Sequence, residues 1–190
     1  RPHTFSLQFD LPWQSKPLVR RRNRLPVTER IMPPSGAVEV PLAEDEVKEA
    51  AELFARRGLD AVIVGFLFSF LNDEHEQRAK EIVRSVMPDA FVCASSEVVN
   101  TMREYERFSS AAMNAYIGPK TSHYLRQLEA RLSQAGIGGI VRIMQSNGGI
   151  STVENATTLP IGLLLSGPAG GVIGGRWTGD NCQTANVITI

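Results

Sequence analysis

The chain has 190 residues, 43% of them hydrophobic and 21% charged, with twenty basic residues set against twenty acidic ones. That length suits one good core, or one domain and part of another. The charge balance gives no global electrostatic reason to bind nucleic acid or an anionic membrane, and the longest apolar stretch, Ala61 to Phe70, is too short to span a bilayer.

Residues 1 to 36 carry six of the eleven prolines and a basic run, Arg20-Arg21-Arg22-Asn23-Arg24. They predict an extended, irregular segment with short strands at Thr4 to Phe9 and Leu25 to Ile31. The basic run reads either as a solvated segment paired with local acids or as a surface for phosphate or a partner. Nothing in the opening residues resembles a signal peptide. Cys93 and Cys182 form no CxxC, so neither a disulfide framework nor a zinc site follows, and a cytoplasmic setting is expected.

Residues 37 to 95 predict β-α-β-α-β. The first helix spans Ala43 to Arg57, with Val47, Ala50, Ala51 and Phe54 as its buried stripe and Gly58 as its stop. Ala61 to Phe66 is a continuous apolar run, as a strand covered on both faces needs. Asn72 can cap the next helix, Ile82, Val83 and Val86 mark its core face, and Pro88 ends it. Phe91 to Ala94 is the next strand. Strands alternating with helices argue for a largely parallel α/β layer.

Residues 98 to 136 predict two helices broken at Gly118-Pro119. Met102, Tyr105, Ala112, Met113 and Tyr116 mark one stripe, and Tyr124, Leu125, Leu128 and Leu132 the other. The dense charge of Arg103 to Arg107 reads as a solvated helix face; the functional alternative points Glu104, Glu106 or Arg107 into a cleft. A strand at Ile140 to Gln145 follows, then a polar segment, a strand at Ile161 to Leu165, a helix, and a last strand at Asn186 to Ile190.

Two glycine-rich turns stand out. Ser146-Asn147-Gly148-Gly149 follows a strand, the usual position of a ligand loop in an α/β sheet, though Asn-Gly is also a common plain turn. In Ser166-Gly167-Pro168-Ala169-Gly170-Gly171, Ser166 suits a helix N-cap, and free N–H groups with the helix dipole favour an anion. Close helix packing is the alternative there. The pattern is neither a Walker A loop nor GxGxxG. In both turns small residues are expected to leave backbone N–H groups open to a ligand. Asp73-Glu74-His75-Glu76 suggests a metal site only superficially, since it is not HExxH and acids at a helix N-terminus explain it. No metal site is assigned.

Six stretches in order carry a resemblance: Val27-Thr28-Glu29-Arg30, Phe68 to Glu76, Arg103 to Arg107, Asn114 to Pro119, Met144 to Gly149 and Leu165 to Gly171. Together they resemble the hydantoinase/oxoprolinase family, which includes 5-oxoprolinase and subunits of acetone and acetophenone carboxylases. The resemblance implies an α/β fold, here a fragment of an actin-like (ribonuclease H-like) ATPase with an inserted α/β domain. It implies a boundary between an N-terminal-type α/β region, 1–97, and part of the ATPase core, 98–190.

The resemblance further implies an ATP-dependent hydrolase of cyclic amides of the hydantoin or 5-oxoproline type, using ATP and Mg²⁺ with a second subunit or domain. Its cleft residues would be Ser146, Asn147, Gly148, Gly149, Ser166, Gly167, Ala169 and Gly170, acting by binding; no proton-transfer residue is named. A ketone carboxylase subunit and a non-catalytic assembly module of the same fold are the alternatives. Family members carry Asp-x-Gly-Gly-Thr phosphate loops, and none occurs here. The chain is therefore expected to be an internal fragment that does not turn over ATP alone.

Overall fold

In the computed structural model, which describes residues 17–189, regular structure begins with a 3-10 turn at Arg21–Asn23. The strand expected at Thr4 to Phe9 lies outside the described residues. The strand expected from Leu25 begins only at Arg30, because Pro26 lacks an N–H and the Thr28 N–H donates to Glu46 Oε2 at 2.6 Å rather than to a neighbouring strand. Strand β1, Arg30–Met32, pairs antiparallel with β2, Ala37–Val40, around Gly36 at φ +73°. The first strand of the expected β-α-β-α-β run thus leaves the parallel layer and closes a hairpin.

The rest of that run folds as expected. Helix α1, Glu44–Arg56, opens on three acids that suit its N-terminus. Strand β3, Ala61–Val64, leads through helix α2, Glu74–Val86, to β4, Phe91–Ala94. β3 and β4 pair in parallel from Ala61–Phe91 to Val64–Ala94. Val62, Val64 and Val92 face α1 and α2, where Val47, Ala51, Ala79, Val83 and Met87 complete a core. Asn72 caps α2 from one position early, its Oδ1 accepting from the Glu74 N–H at 3.0 Å.

The opposite face of the β3–β4 pair meets helix α4, Glu104–Gln134, after the short helix α3, Ser95–Val98. The expected break at Gly118-Pro119 does not occur. Pro119 forfeits one helical hydrogen bond, but the helix is held on both sides of it. Gly118 lies flat on the Phe91 ring, so close that a Cβ there would sit 2.7 Å from it, while Ala111, Ala115, Ser122 and Leu125 are buried. The first expected apolar stripe is also corrected: Met102, Tyr105, Met113 and Tyr116 are exposed and Ala112 is half-buried; in the second, Leu125 is buried, Leu128 and Leu132 are half-buried, and Tyr124 is exposed. The buried face runs through small and polar residues instead, because a helix pressed against a two-stranded layer needs short side chains.

Beyond α4, β5, Arg142–Met144, pairs antiparallel with β6, Ile150–Thr152. Helix α5, Val153–Thr158, follows, capped by Thr152 Oγ1 accepting from the Asn155 N–H. Leu125, Val153 and Ala156 form a second, smaller core with Val141, Ile143 and Leu163. The strand expected at Ile161 to Leu165 is a 3-10 turn, Pro160–Leu163. The Asn114 side chain supplies the partners a sheet neighbour would give, accepting from Ile161 N at 3.1 Å and donating to the Thr158 carbonyl at 3.4 Å. Helix α6, Ser166–Asn181, ends the regular structure. Residues 186–189 join no strand ladder among the described residues; Val187 and Thr189 lie against Gly179 and Gly175 of α6.

Candidate functional site

The two glycine-rich turns come together. The Ser146 N–H donates to the Gly162 carbonyl at 2.8 Å, which ties the β5–β6 turn to the segment entering α6. α6 then runs beside β5: a Cβ on Gly148 would lie 3.1 Å from Ile173 Cδ1, and one on Gly170 3.7 Å from Met144 Cγ. Residues twenty positions apart in sequence thus share one surface.

The first turn is more closed than its composition suggests. Gly148 N–H donates to the Gln145 carbonyl at 3.0 Å, and Gly149 N–H to Asn147 Oδ1 at 2.8 Å. With Ser146 N–H committed to Gly162, three of the four backbone donors are consumed inside the protein. This corrects the expectation of open N–H groups. What faces solvent is the Ser146 hydroxyl and the Asn147 amide, both on exposed residues. Gly148 sits at φ +83°, a conformation that favours glycine.

The second turn keeps its donors. Ser166 is the first helical residue of α6, not its cap; Leu165 takes the cap position at φ 63° and ψ 20°, with its side chain 79% exposed. A left-handed leucine is strained, and such strain concentrates at functional sites. The Ser166 and Gly167 N–H groups open the helix, where no intrahelical acceptor exists, and nothing lies within 4 Å of the Cβ position at Gly167. Pro168, next in line, has no N–H to lose. Ala169 and Gly170 are half-buried on the side toward β5.

The charged residues singled out from sequence lie elsewhere. Arg107, expected on a solvated face or in a cleft, is fully buried. It donates to Ser95 Oγ at 2.9 Å, the Thr101 carbonyl at 3.1 Å and the Phe66 carbonyl at 2.6 Å. Glu76, also fully buried, accepts from Phe66 N at 2.9 Å, Ser95 Oγ at 2.6 Å and Ser96 N at 2.8 Å. Ser95 bridges the two charges. His75 Nδ1 meets Glu29 Oε2 at 3.0 Å with both side chains 7% exposed. The acid-rich start of α2 is therefore tied into the fold. The signal missed in sequence was Arg107 sharing the helical face of Ala111 and Ala115. Burial pushes the Cys93 thiol up to about 11. A shallow groove lined by Arg126, Glu129, Thr152 and Glu154 contains none of the eight turn residues.

Residues 1–87 match the hydantoinase/oxoprolinase N-terminal region, and residues 107–190 match hydantoinase/oxoprolinase. The chain belongs to the hydantoinase/oxoprolinase family. It is 38% identical over 173 residues to an uncharacterized protein of Methanocaldococcus jannaschii, and 34% identical over 173 residues to caprolactamase subunit alpha of Pseudomonas jessenii. Each alignment covers 91% of this chain and 25% of the relative, so the chain spans about a quarter of their length. The fold matches part of the crystal structure of the ATP-dependent caprolactamase from P. jessenii, with TM-score 0.69 and 31% identity over 82% of this chain and 22% of that one. It matches the nucleotide-free acetone carboxylase structure with TM-score 0.71 and 25% identity over 83% of this chain and 22% of that one. Among the described residues, no helix is long and apolar enough to cross a membrane.

Proposed function

We propose that this chain is part of an ATP-dependent enzyme that activates and hydrolyses a small cyclic amide, within an actin-like ATPase core and with a second subunit. The observation that carries the reading is the meeting of the two turns on one surface, in a family whose members include an ATP-dependent caprolactamase. The residues fit an anion: two unpaired N–H groups, at Ser166 and Gly167, stand at the positive end of a sixteen-residue helix with open space at Gly167. ATP supplies phosphoryl chemistry in such an enzyme. This chain contributes binding. Ser166 and Gly167 donate to an anionic oxygen, and the Asn147 amide with the Ser146 hydroxyl orients the substrate carbonyl. Gly148, Gly149, Ala169 and Gly170 keep side chains out of the way. Among the described residues no three His, Cys, Asp or Glu side chains are grouped to hold a metal ion.

The test is ATP cleavage by the full-length protein with its partner subunit, on adding hydantoin, 5-oxoproline or caprolactam. Stimulation by one of them is expected. Asn147→Ala should lower kcat/KM about 10- to 100-fold, as loss of one positioned polar contact does. Stimulation that Asn147→Ala leaves unchanged removes the first turn from the site, and no stimulation by any cyclic amide sinks the hydrolase reading. A ketone carboxylase is the second reading, favoured by a fold match to acetone carboxylase as good as that to caprolactamase. It requires ATP cleavage that depends on a ketone and bicarbonate together.

A further inference from the structure

Five arginines gather at one corner of the molecule. Arg20, Arg21, Arg22 and Arg24 form and flank the 3-10 turn Arg21–Asn23, and all four are exposed. Arg57, at the C-terminal end of α1, reaches the same turn, donating from Nη1 to the Arg22 carbonyl at 2.7 Å and to Asn23 Oδ1 at 3.0 Å. Arg24 is tied down in the same manner, its Nε and Nη2 donating to the Val19 carbonyl at 3.1 and 2.7 Å. Neutral oxygens orient a guanidinium without cancelling its charge. Among the described residues, ion pairs form at Arg56, His75, Arg78, Lys80 and Arg176 and at none of these five. Three of the five acids along α1 are engaged elsewhere: Glu46 accepts from Thr28, Glu44 from Arg78, and Glu52 faces Arg56 at 3.9 Å. The expectation that local acids pair with the basic run is thereby corrected.

A chain with no net charge therefore concentrates a quarter of its twenty basic residues in one place, with two of the five guanidinium groups already fixed in orientation. Grouped like charges repel one another, and an acidic surface brought against them relieves that repulsion. Planar, fixed guanidinium groups suit carboxylates, which they bind in bidentate fashion. Nucleic acid is the other carrier of dense negative charge. Single-strand binders commonly add aromatic residues that stack on the bases, and basic domains are the commoner carriers of nucleic-acid sites. The chain is neutral, and residues 17–30 contain no aromatic residue. A protein partner is also consistent with caprolactamase subunit alpha, which by its name is one part of a larger enzyme.

We propose that Arg20, Arg21, Arg22, Arg24 and Arg57 form a docking surface for an acidic face of a second enzyme subunit. This rests on the multisubunit part of the functional reading above. The test uses the full-length protein and its partner subunit, with the dissociation constant measured by calorimetry at low and high salt. Wild-type affinity should fall as salt rises. The R20E/R21E/R22E variant should bind at least about tenfold more weakly and R20Q/R21Q by an intermediate factor, because reversed charges clash where neutral ones merely lose attraction. Unchanged affinity in both variants overturns the proposal, as does failure of the wild-type proteins to associate. ATP cleavage by the full-length protein is scored separately, so loss of docking and loss of the enzyme reading are told apart. A lower melting temperature in R20E/R21E/R22E without the subunit, with affinity unchanged, assigns the patch to the rest of its own polypeptide. Retention of a DNA duplex by the wild type alone, again with subunit affinity unchanged, assigns it to nucleic acid. Either result refutes the subunit proposal.

Discussion

Replacing Arg107 with methionine tests whether the buried charge network holds α4 to the β3–β4 layer. Methionine keeps much of the side-chain volume and removes every donor. Three hydrogen bonds disappear, to Ser95 Oγ, the Thr101 carbonyl and the Phe66 carbonyl, together with the placement of the guanidinium 5.2 Å from the Phe108 ring centre. The larger effect falls on Glu76. It keeps its own three donors but loses the positive charge reached through Ser95, at a position with no exposure to water. Removing one member of a buried charge pair costs about 3–5 kcal/mol. Simple addition of three charged hydrogen bonds gives a similar or larger figure, about 1.5–3 kcal/mol each, but such losses do not add. Urea unfolding of wild type and variant measures the difference, and an unchanged denaturant slope shows that both unfold from comparable states. The double variant R107M/E76Q should lose less than the sum of its parts, since neutralising Glu76 removes the stranded charge. A loss under about 1 kcal/mol for R107M alone, or strict additivity with E76Q, would refute the reasoning.

Three other expectations follow from the same geometry. Gly118→Ala should destabilise by about 1–3 kcal/mol in thermal or urea melts, because its Cβ would sit 2.7 Å from the Phe91 ring; a stabilised variant would mean that alanine's better helix propensity wins. Thiol titration of the folded protein at mildly alkaline pH should modify the exposed Cys182 and spare Cys93, whose buried thiol is raised to about 11; rapid reaction at both would sink that assignment. Burial pushes the Glu97 carboxyl up, but its ion pair with Lys80 and the Ala94 N–H outweigh that and hold it below its ordinary value. A carboxylate lowered on folding adds stability above its unfolded pKa, and that stability disappears as pH falls through the folded value. Lys80→Met should therefore flatten the loss of stability below roughly pH 4.3, the unperturbed glutamate value, and an unchanged acid limb would refute it.

The α1–β3–α2–β4 layer was legible because, apart from His75 and Glu76, its buried residues are apolar: Val47, Ala51, Val62, Val83 and Val92 all fall where the pattern places them. α4 broke that rule. In its first half the outward positions carry Tyr105, Met113 and Tyr116 and the inward ones Arg107 and Asn114, so hydrophobicity pointed to the wrong face there. A period-3.6 series of small residues, Ala111, Ala115, Gly118, was the truer signal, since close approach to a sheet demands short side chains. The run Ile161 to Leu165 misled for a related reason. Apolar content alone does not tell a strand from a 3-10 turn, and Pro160 with Gly162 tips the balance only because Asn114 serves the freed backbone groups. Both glycine turns were found from sequence, but their donor status was not. Whether Gly148 and Gly149 face a ligand or each other's neighbours depends on turn geometry that composition leaves open.

The candidate site owes its position more to hydrogen bonds than to apolar packing. The second core contains only three buried apolar residues, Leu125, Val153 and Ala156, too few to fix a loop by burial alone. What fixes it is a polar line that starts on α4. Asn114 accepts from Ile161 N, Gly162 accepts from Ser146 N, and Ser122 Oγ donates to the Thr157 carbonyl. Such bonds have narrow preferred angles and weaken steeply when bent, so they set direction as well as distance, which dispersion contacts do not. The same helix carries Arg107 about five turns away from Leu125, seated in the β3–β4 layer. α4 therefore couples a rigid, well-packed layer to a surface that depends on a few directed bonds. On this reading Asn114 and Pro119, close together in the sequence, play different parts. Asn114 aims the turn entering α6, while Pro119 leaves one carbonyl of α4 without its usual partner and is tolerated because Phe91 and Gly118 already hold the helix in place.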